Sequence, residues 1–203
     1  MPRPNLSEER RKQLIPEIAR VFARFGYRRT TTSELAKSCG VRENILYRLW
    51  PDKKAMFIAA IDYIYEISAE IWSQVLESQA IHDSPARRLL NYESEHHGEL
   101  GFYRIVFAGL SESDDPEIRA ALRRMYRRFQ RYIGRQIEAH RQSSGISGDP
   151  EMEIAAWAFI GVGTMVTISR EFDLMTYGQR ERCVRQVGQL LLGDRAGRAA
   201  NRK

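Results

Sequence analysis

Arg42, Glu43 and Asn44 stand together just after the tight sequence Cys39-Gly40-Val41, at the start of a short helical stretch. Their side chains suit the reading of base edges. A guanidinium pairs bidentately with guanine, a carboxamide with adenine, and a carboxylate accepts from the amino group of cytosine. Such readout needs a helix whose first residues face outward into the major groove, which a helix-turn-helix provides. Leu35, Ala36, Val41, Ile45 and Leu46 are the apolar side chains expected to lock the two short helices against a preceding one. Gly40 suits the turn because it reaches positive φ without steric cost. Enzyme chemistry is not indicated, since no nucleophile–base pairing, metal-spaced His/Cys cluster or Gly-rich phosphate loop occurs. His96 and His97 are adjacent, so on a helix they point about 100° apart, a poor chelating geometry. Neither a metal nor a cofactor is expected.

These residues need elements to hold them, and three-four apolar spacing recurs along the whole chain without strand-like alternation. The expected fold class is all-α. A first helix carries Leu14, Ile18, Val21, Phe22 and Phe25 and ends at Gly26, with Pro16 expected to kink or restart it. A second begins in Thr30-Thr31-Thr32-Ser33 and a third ends at Trp50-Pro51. Asp52 caps a long fourth with the stripe Phe57, Ile61, Ile64, Ile67, Ile71 and Val75. Further helices are expected from Ser84-Pro85 to about Glu99, from Phe102 to Leu110, after Asp114-Asp115-Pro116, over about 150–172, and over about 178–192. The Ser/Gly-rich stretch Ser143–Pro150 is the clearest break.

Charge is unevenly placed. Residues 1–54 hold thirteen Lys/Arg against six Asp/Glu, so the net excess lies in the first quarter, and residues 55–203 are close to balanced. A basic head on a neutral body is the electrostatic footprint of a nucleic-acid-binding domain. Arg3 with Arg10-Arg11-Lys12 is expected as a solvated N-terminal arm, able to reach a minor groove. Cys39 and Cys183 match no disulfide or metal pattern and are expected as small buried residues in a reducing compartment. The N-terminal residues contain no apolar signal core, and the most apolar run, Ile154 to Ile168, is 15 residues long. A bilayer needs about 20. The expectation is a cytoplasmic protein without a membrane partner.

The head resembles the TetR family of bacterial transcription regulators. The matching residues are Phe22-Ala23, Gly26-Tyr27, Thr30-Thr31, Leu35-Ala36, Gly40-Val41, Leu46-Tyr47 and Trp50-Pro51-Asp52-Lys53-Lys54-Ala55-Met56. The resemblance implies phosphate contacts from Thr31, Tyr47 and Lys53. A hydroxyl or ammonium at a helix N-terminus favours an anion on chemical grounds as well. Departures from the family pattern fall mainly at the reading edge, where Arg42 replaces the usual Ser N-cap, Asn44 a common Gly and Ile45 a common Thr; Pro16 inside the first helix is unusual for the family as well.

For the body, the resemblance implies a small-molecule effector pocket among the fourth to seventh helices and homodimerisation on the last two. Pocket candidates are Tyr63, Trp72, Tyr92, His96, Tyr103, Phe107, Met125 and Phe129. Interface candidates are Trp157, Gly161, Met165, Val184, Val187 and Leu191, with small residues permitting close approach. The expected organisation is a DNA-binding head over 1–54, a ligand-binding and dimerisation body over 55–193, and a frayed tail over 194–203. Double-stranded operator DNA is the expected partner, bound as a dimer because one head reads too few base pairs. Arg119, Arg123, Arg127, Arg131 and Arg135 form an i,i+4 row, whose repulsion nearby carboxylates or solvent are expected to offset, the alternative being an anionic ligand or a DNA flank.

Overall fold

The structure is a computed structural model that describes residues 6–77, 83–146 and 151–194; among them every regular element is a helix. In chain order these are α1 (Leu6–Arg29), α2 (Thr32–Ser38), α3 (Glu43–Leu49), α4 (Lys53–Glu77), α5 (Pro85–His96), α6 (Tyr103–Ser111), α7 (Pro116–Ser143), α8 (Met152–Glu171) and α9 (Tyr177–Leu192).

Local chemistry accounts for most of these bounds. Thr31 caps α2, Ser84 caps α5 with Pro85 in its first turn, and Thr176 caps α9. Asp52 accepts from the Ala55 N–H at 2.7 Å, and Asp115 from the N–H groups of Glu117 and Ile118. Pro16 does not break α1. The one non-helical residue within it is Gly26, at φ 75°, a conformation open to a residue without Cβ.

The chain clusters into two compact units, each drawn from two separate stretches. The first comprises Met1–Ser68 and Leu100–Tyr126. Here α2 and α3 pack against α1 and each other, and α1 packs against α6. Phe22 meets the Phe57 ring edge-on at 4.9 Å, and Tyr27 lies 4.8 Å from the same ring. Gly109 allows α6 to approach closely, since a Cβ there would lie 3.3 Å from Leu122 and 3.5 Å from Ile61. Phe25, expected on the buried stripe, is exposed, with Arg24 over its ring at 5.0 Å. Residues 55–68 thus belong with the head by packing, whereas the sequence division at 54/55 follows the motif.

The second unit comprises Ala69–Glu99 and Arg127–Lys203. Its core joins Ala86, Leu90, Ile137, Ala155, Ala156, Val166, Val184 and Leu192, with α9 packed between α5 and α8. At 20 residues α8 is longer than the apolar run read from sequence, and its length and composition would allow it to cross a membrane. Its Ala155, Ala156, Gly163 and Val166 are buried, so one side of the helix packs in the unit's core while the other faces outward.

A polar staple closes this unit. His140 is buried, its Nδ1 2.7 Å from Ser84 Oγ and its Nε2 3.1 Å from Asp194 Oδ1. The Asp194 carboxylate only accepts, so Nε2–H donates to it, while the Ser84 oxygen accepts from the Arg87 N–H and meets Nδ1 as donor or acceptor according to the protonation of the ring. Arg87 holds both oxygens of Asp194, at 2.8 and 3.0 Å. Asp194, assigned by sequence to the frayed tail, is therefore anchored. Residues 195–203 of that tail, and 147–150 of the Ser/Gly-rich break, lie outside the described residues.

Candidate nucleic-acid interface

The site begins with the turn. Gly40 has φ +64°, and the Val41 N–H bonds back to the Ala36 carbonyl at 3.0 Å, which closes α2 in a Schellman-type turn. Leu35 and Leu46 are fully buried, and Ala36, Leu49 and Trp50 nearly so. Burial of that side of α3 leaves Arg42, Glu43, Asn44, Tyr47 and Arg48 exposed. The three base-reading candidates thus lie together on a solvent-facing edge. Arg42 occupies the N-cap position and makes no side-chain capping bond, which leaves its guanidinium available. Arg48 was not singled out from sequence. It follows Asn44 by four residues, a spacing that puts both on one face.

The phosphate candidates have internal duties. Thr31 and Glu34 form a reciprocal capping box: the Glu34 N–H donates to Thr31 Oγ1, and the Thr31 N–H donates to Glu34 Oε2 at 2.8 Å. The Thr31 hydroxyl donates to the same carboxylate oxygen at 2.9 Å. These backbone and side-chain bonds hold the Glu34 carboxyl below its ordinary range. A phosphate at the Thr31 hydroxyl must therefore compete with a neighbouring carboxylate. Tyr47 places its hydroxyl 3.0 Å from Thr32 Oγ1 and braces α3 against α2, while its ring stays half exposed. Lys53 Nζ donates to the carbonyls of Tyr27 at 3.1 Å and Thr30 at 3.0 Å, and lies 4.5 Å from the centre of the Tyr27 ring. It closes the C-terminal end of α1, and one of its three N–H donors remains for an anion.

The basic arm takes a different form from the one expected. Residues 6–12 belong to α1, Arg10 bonds to Gln13, and Arg11 Nε donates to the Leu49 carbonyl at 2.8 Å, capping α3. The interaction joins residues 38 apart, so local pattern carried no trace of it. Arg3 lies outside the described residues. Cys39 is half-buried, and burial, followed by the Glu17 charge, pushes its thiol up to about 11, well away from a reactive thiolate.

The effector candidates divide between the two units. In the first, Tyr63 meets Phe102 edge-on at 5.7 Å, Tyr103 and Phe107 are half-buried on α6, and Met125 is fully buried. In the second, Trp72 stacks on Tyr132 at 4.8 Å and meets Phe129 edge-on at 5.7 Å. Trp72 Nε1 donates to Glu93 Oε1 at 2.6 Å. The other Glu93 oxygen lies 2.7 Å from His97 Nδ1, and His97 Nε2 lies 2.9 Å from the Gly163 carbonyl of α8. Glu93 and His97 were not among the pocket candidates, yet they form the polar centre of this cluster. Tyr92 and His96 stack at 4.4 Å on their own helix.

On the second unit α8 exposes Ile154, Trp157, Gly161, Met165 and Phe172, spaced along one face, and α9 exposes Leu190. Val187 and Leu191 are half-buried, and Leu191 packs against the unit's own core. Val184 differs from expectation: it is buried in that core, because α9 turns this side toward α5 and α8.

Buried scaffold, positive-φ turn and exposed polar edge define the head as a helix-turn-helix DNA-binding domain. Residues 14–60 match the family model of bacterial regulatory proteins of the tetR family, and the helix-turn-helix head is similar to that family's. Over 78 residues the chain is 28% identical to the uncharacterised helix-turn-helix-type transcriptional regulator YuxN of Bacillus subtilis, and over 64 residues 39% identical to the nucleoid occlusion factor SlmA of Haemophilus ducreyi. These stretches cover 38% and 32% of this chain, and 26% and 32% of the relatives, so only about a quarter to a third of each relative is matched. The whole fold is that of TetR-family regulators. A Rhodococcus sp. structure described as such superposes with a TM-score of 0.77 at 16% identity, covering 91% of this chain and 99% of that one. The regulator FadR from Bacillus subtilis, in complex with stearoyl-CoA, superposes with a TM-score of 0.68 at 18% identity, covering 90% and 98%.

Proposed function

We propose that this chain is a cytoplasmic, homodimeric, sequence-specific transcription regulator, a repressor released from double-stranded operator DNA by a small-molecule effector. The observation that carries the reading is the edge of α3, where Arg42, Glu43 and Asn44 are exposed above a buried scaffold. These side chains read bases, while Thr31, Tyr47 and the remaining donor of Lys53 hold phosphates. Two heads related by a twofold axis read two half-sites, and the exposed apolar face of α8 supplies the second unit with a self-complementary surface. The effector binds the body and biases the dimer between arrangements competent and incompetent for DNA. Support for an effector comes from the resemblance in fold to FadR, whose structure holds stearoyl-CoA. No ligand class follows for this chain at that identity.

Selection of bound sequences from random DNA tests the reading: it should enrich a palindrome. Arg42→Ala or Asn44→Ala should then weaken binding to that site by about 1–3 kcal/mol and relax preference at one position of each half-site. Parental discrimination in both variants would exclude the readout assignment. A second reading, a constitutive DNA-binding protein without effector, draws on the head-level similarity to SlmA; failure to enrich any sequence would favour it.

A further inference from the structure

Among the described residues, the arginine row on α7 has no carboxylate partner to neutralise it. Arg119, Arg123, Arg127, Arg131 and Arg135 are all exposed, and among the described residues none forms a hydrogen bond or ion pair. Most of the acidic groups nearby are paired elsewhere: Asp62 with Arg124, and Asp115 and Glu117 with Lys54; Glu138 accepts from the Gln142 amide and makes no ion pair with Arg135. Like charges four residues apart disfavour the helix that carries them. Each step of four turns the helix about 40° and advances it about 6 Å, so Arg127, Arg131 and Arg135 share a sector of about 80° over about 12 Å.

We propose that Arg127, Arg131 and Arg135 form a second, sequence-independent contact surface for the phosphate backbone of nucleic acid, outside the helix-turn-helix. All the row's cations are arginine, whose planar fork matches phosphate bidentately where a lysine would act as a point charge. About 12 Å of duplex carries about seven phosphates, so three guanidiniums find partners in any register. The surroundings disfavour other occupants. No large exposed apolar side chain belongs to α7, and Met152, packed over Gly134 at its flank, is barely over a third exposed, so the row offers a protein partner charge rather than an aromatic anchor. Ile137 is turned into the core, which leaves no apolar face to enter a bilayer. The surface does not depend on base reading by Arg42 and Asn44, and its test is separable from theirs.

The full chain is titrated against a 30-base-pair duplex of random sequence at 50–200 mM salt. Neutralising three phosphate contacts by R127Q/R131Q/R135Q should make the slope of log affinity against log salt shallower by about 3. The ratio of parental to variant affinity should then fall about forty-fold across that salt range. The variant with three lysines should keep most of the slope, and Arg42→Ala/Asn44→Ala should keep the row's share of it. Arginine modification by phenylglyoxal, read by mass spectrometry on the unaltered chain, gives a second measurement. The same duplex should protect Arg127, Arg131 and Arg135. An unchanged slope together with no protection would overturn the proposal. Protection by phosphatidylserine vesicles or polyglutamate, but not by the duplex, would overturn it equally.

Discussion

At Lys53 the ammonium gives two of its three donors to the carbonyls of Tyr27 and Thr30, so the residue that resemblance assigns to phosphate also closes the end of α1. Replacing it removes both effects. Lys53→Met should lower unfolding free energy by about 1–3 kcal/mol, since two charge-assisted hydrogen bonds are lost and two carbonyls are left without their donor. It should also flatten the salt dependence of DNA binding by about one contact, equally for all sequences. Denaturant titration and salt titration separate the two effects; a stability loss with an unchanged salt slope would make Lys53 a scaffold residue alone. Thr31 shows a similar division of labour, with its hydroxyl already engaged by Glu34. The reading edge is simpler, because Arg42 makes no capping bond.

Packing between helices turns on a few close approaches. In the second unit α9 can lie against α5 because position 188 is glycine; a Cβ there would collide with the buried Leu90. Gly188→Ala would ordinarily strengthen a helix by about 1 kcal/mol. Here overpacking should dominate, with a net loss of about 1–3 kcal/mol in denaturant unfolding, and Leu90→Ala should partly relieve it in the double variant. The ends of α5, α7 and α9 meet at the Ser84–His140–Asp194–Arg87 staple. Burial, the largest single influence, raises the Asp194 carboxyl, but its bonds to Arg87 and His140, with the charges of Arg87 and of a protonated His140, together hold it below the ordinary range. A carboxyl lowered on folding stabilises fully above its unfolded value, about 3.9, and loses that contribution as pH falls through the folded value. Acid unfolding followed by circular dichroism should therefore show a loss below about pH 4 that Asp194→Asn largely removes.

For the whole molecule, assembly is the property with most functional weight. Trp157 and Met165 are 42% and 46% exposed on α8, beside Ile154 and Phe172. Trp157→Glu with Met165→Glu should leave the helical circular dichroism signal unchanged and convert the proposed dimer to a monomer in analytical ultracentrifugation. Operator affinity should fall steeply with it, since half-sites would be bound one at a time. A parental sedimentation coefficient in the variant would place the interface elsewhere. The sequence by itself determined what depends on near neighbours: the helices found among the described residues, their starts near Thr31, Asp52, Ser84-Pro85 and Asp115-Pro116, the turn at Gly40, and the polar edge after it that is proposed to read bases. Capping joins residues two or three apart, and apolar spacing states which side of a helix seeks cover. Tertiary structure alone decided which neighbour provides that cover. It buried Val184 while leaving Trp157 out, drew Arg11 onto the Leu49 carbonyl, and tied Asp194 to residues far back in the chain. Among the described residues it also gave Arg127, Arg131 and Arg135 of α7 no carboxylate partner. Those outcomes rest on contacts between remote segments, whose register no local periodicity encodes.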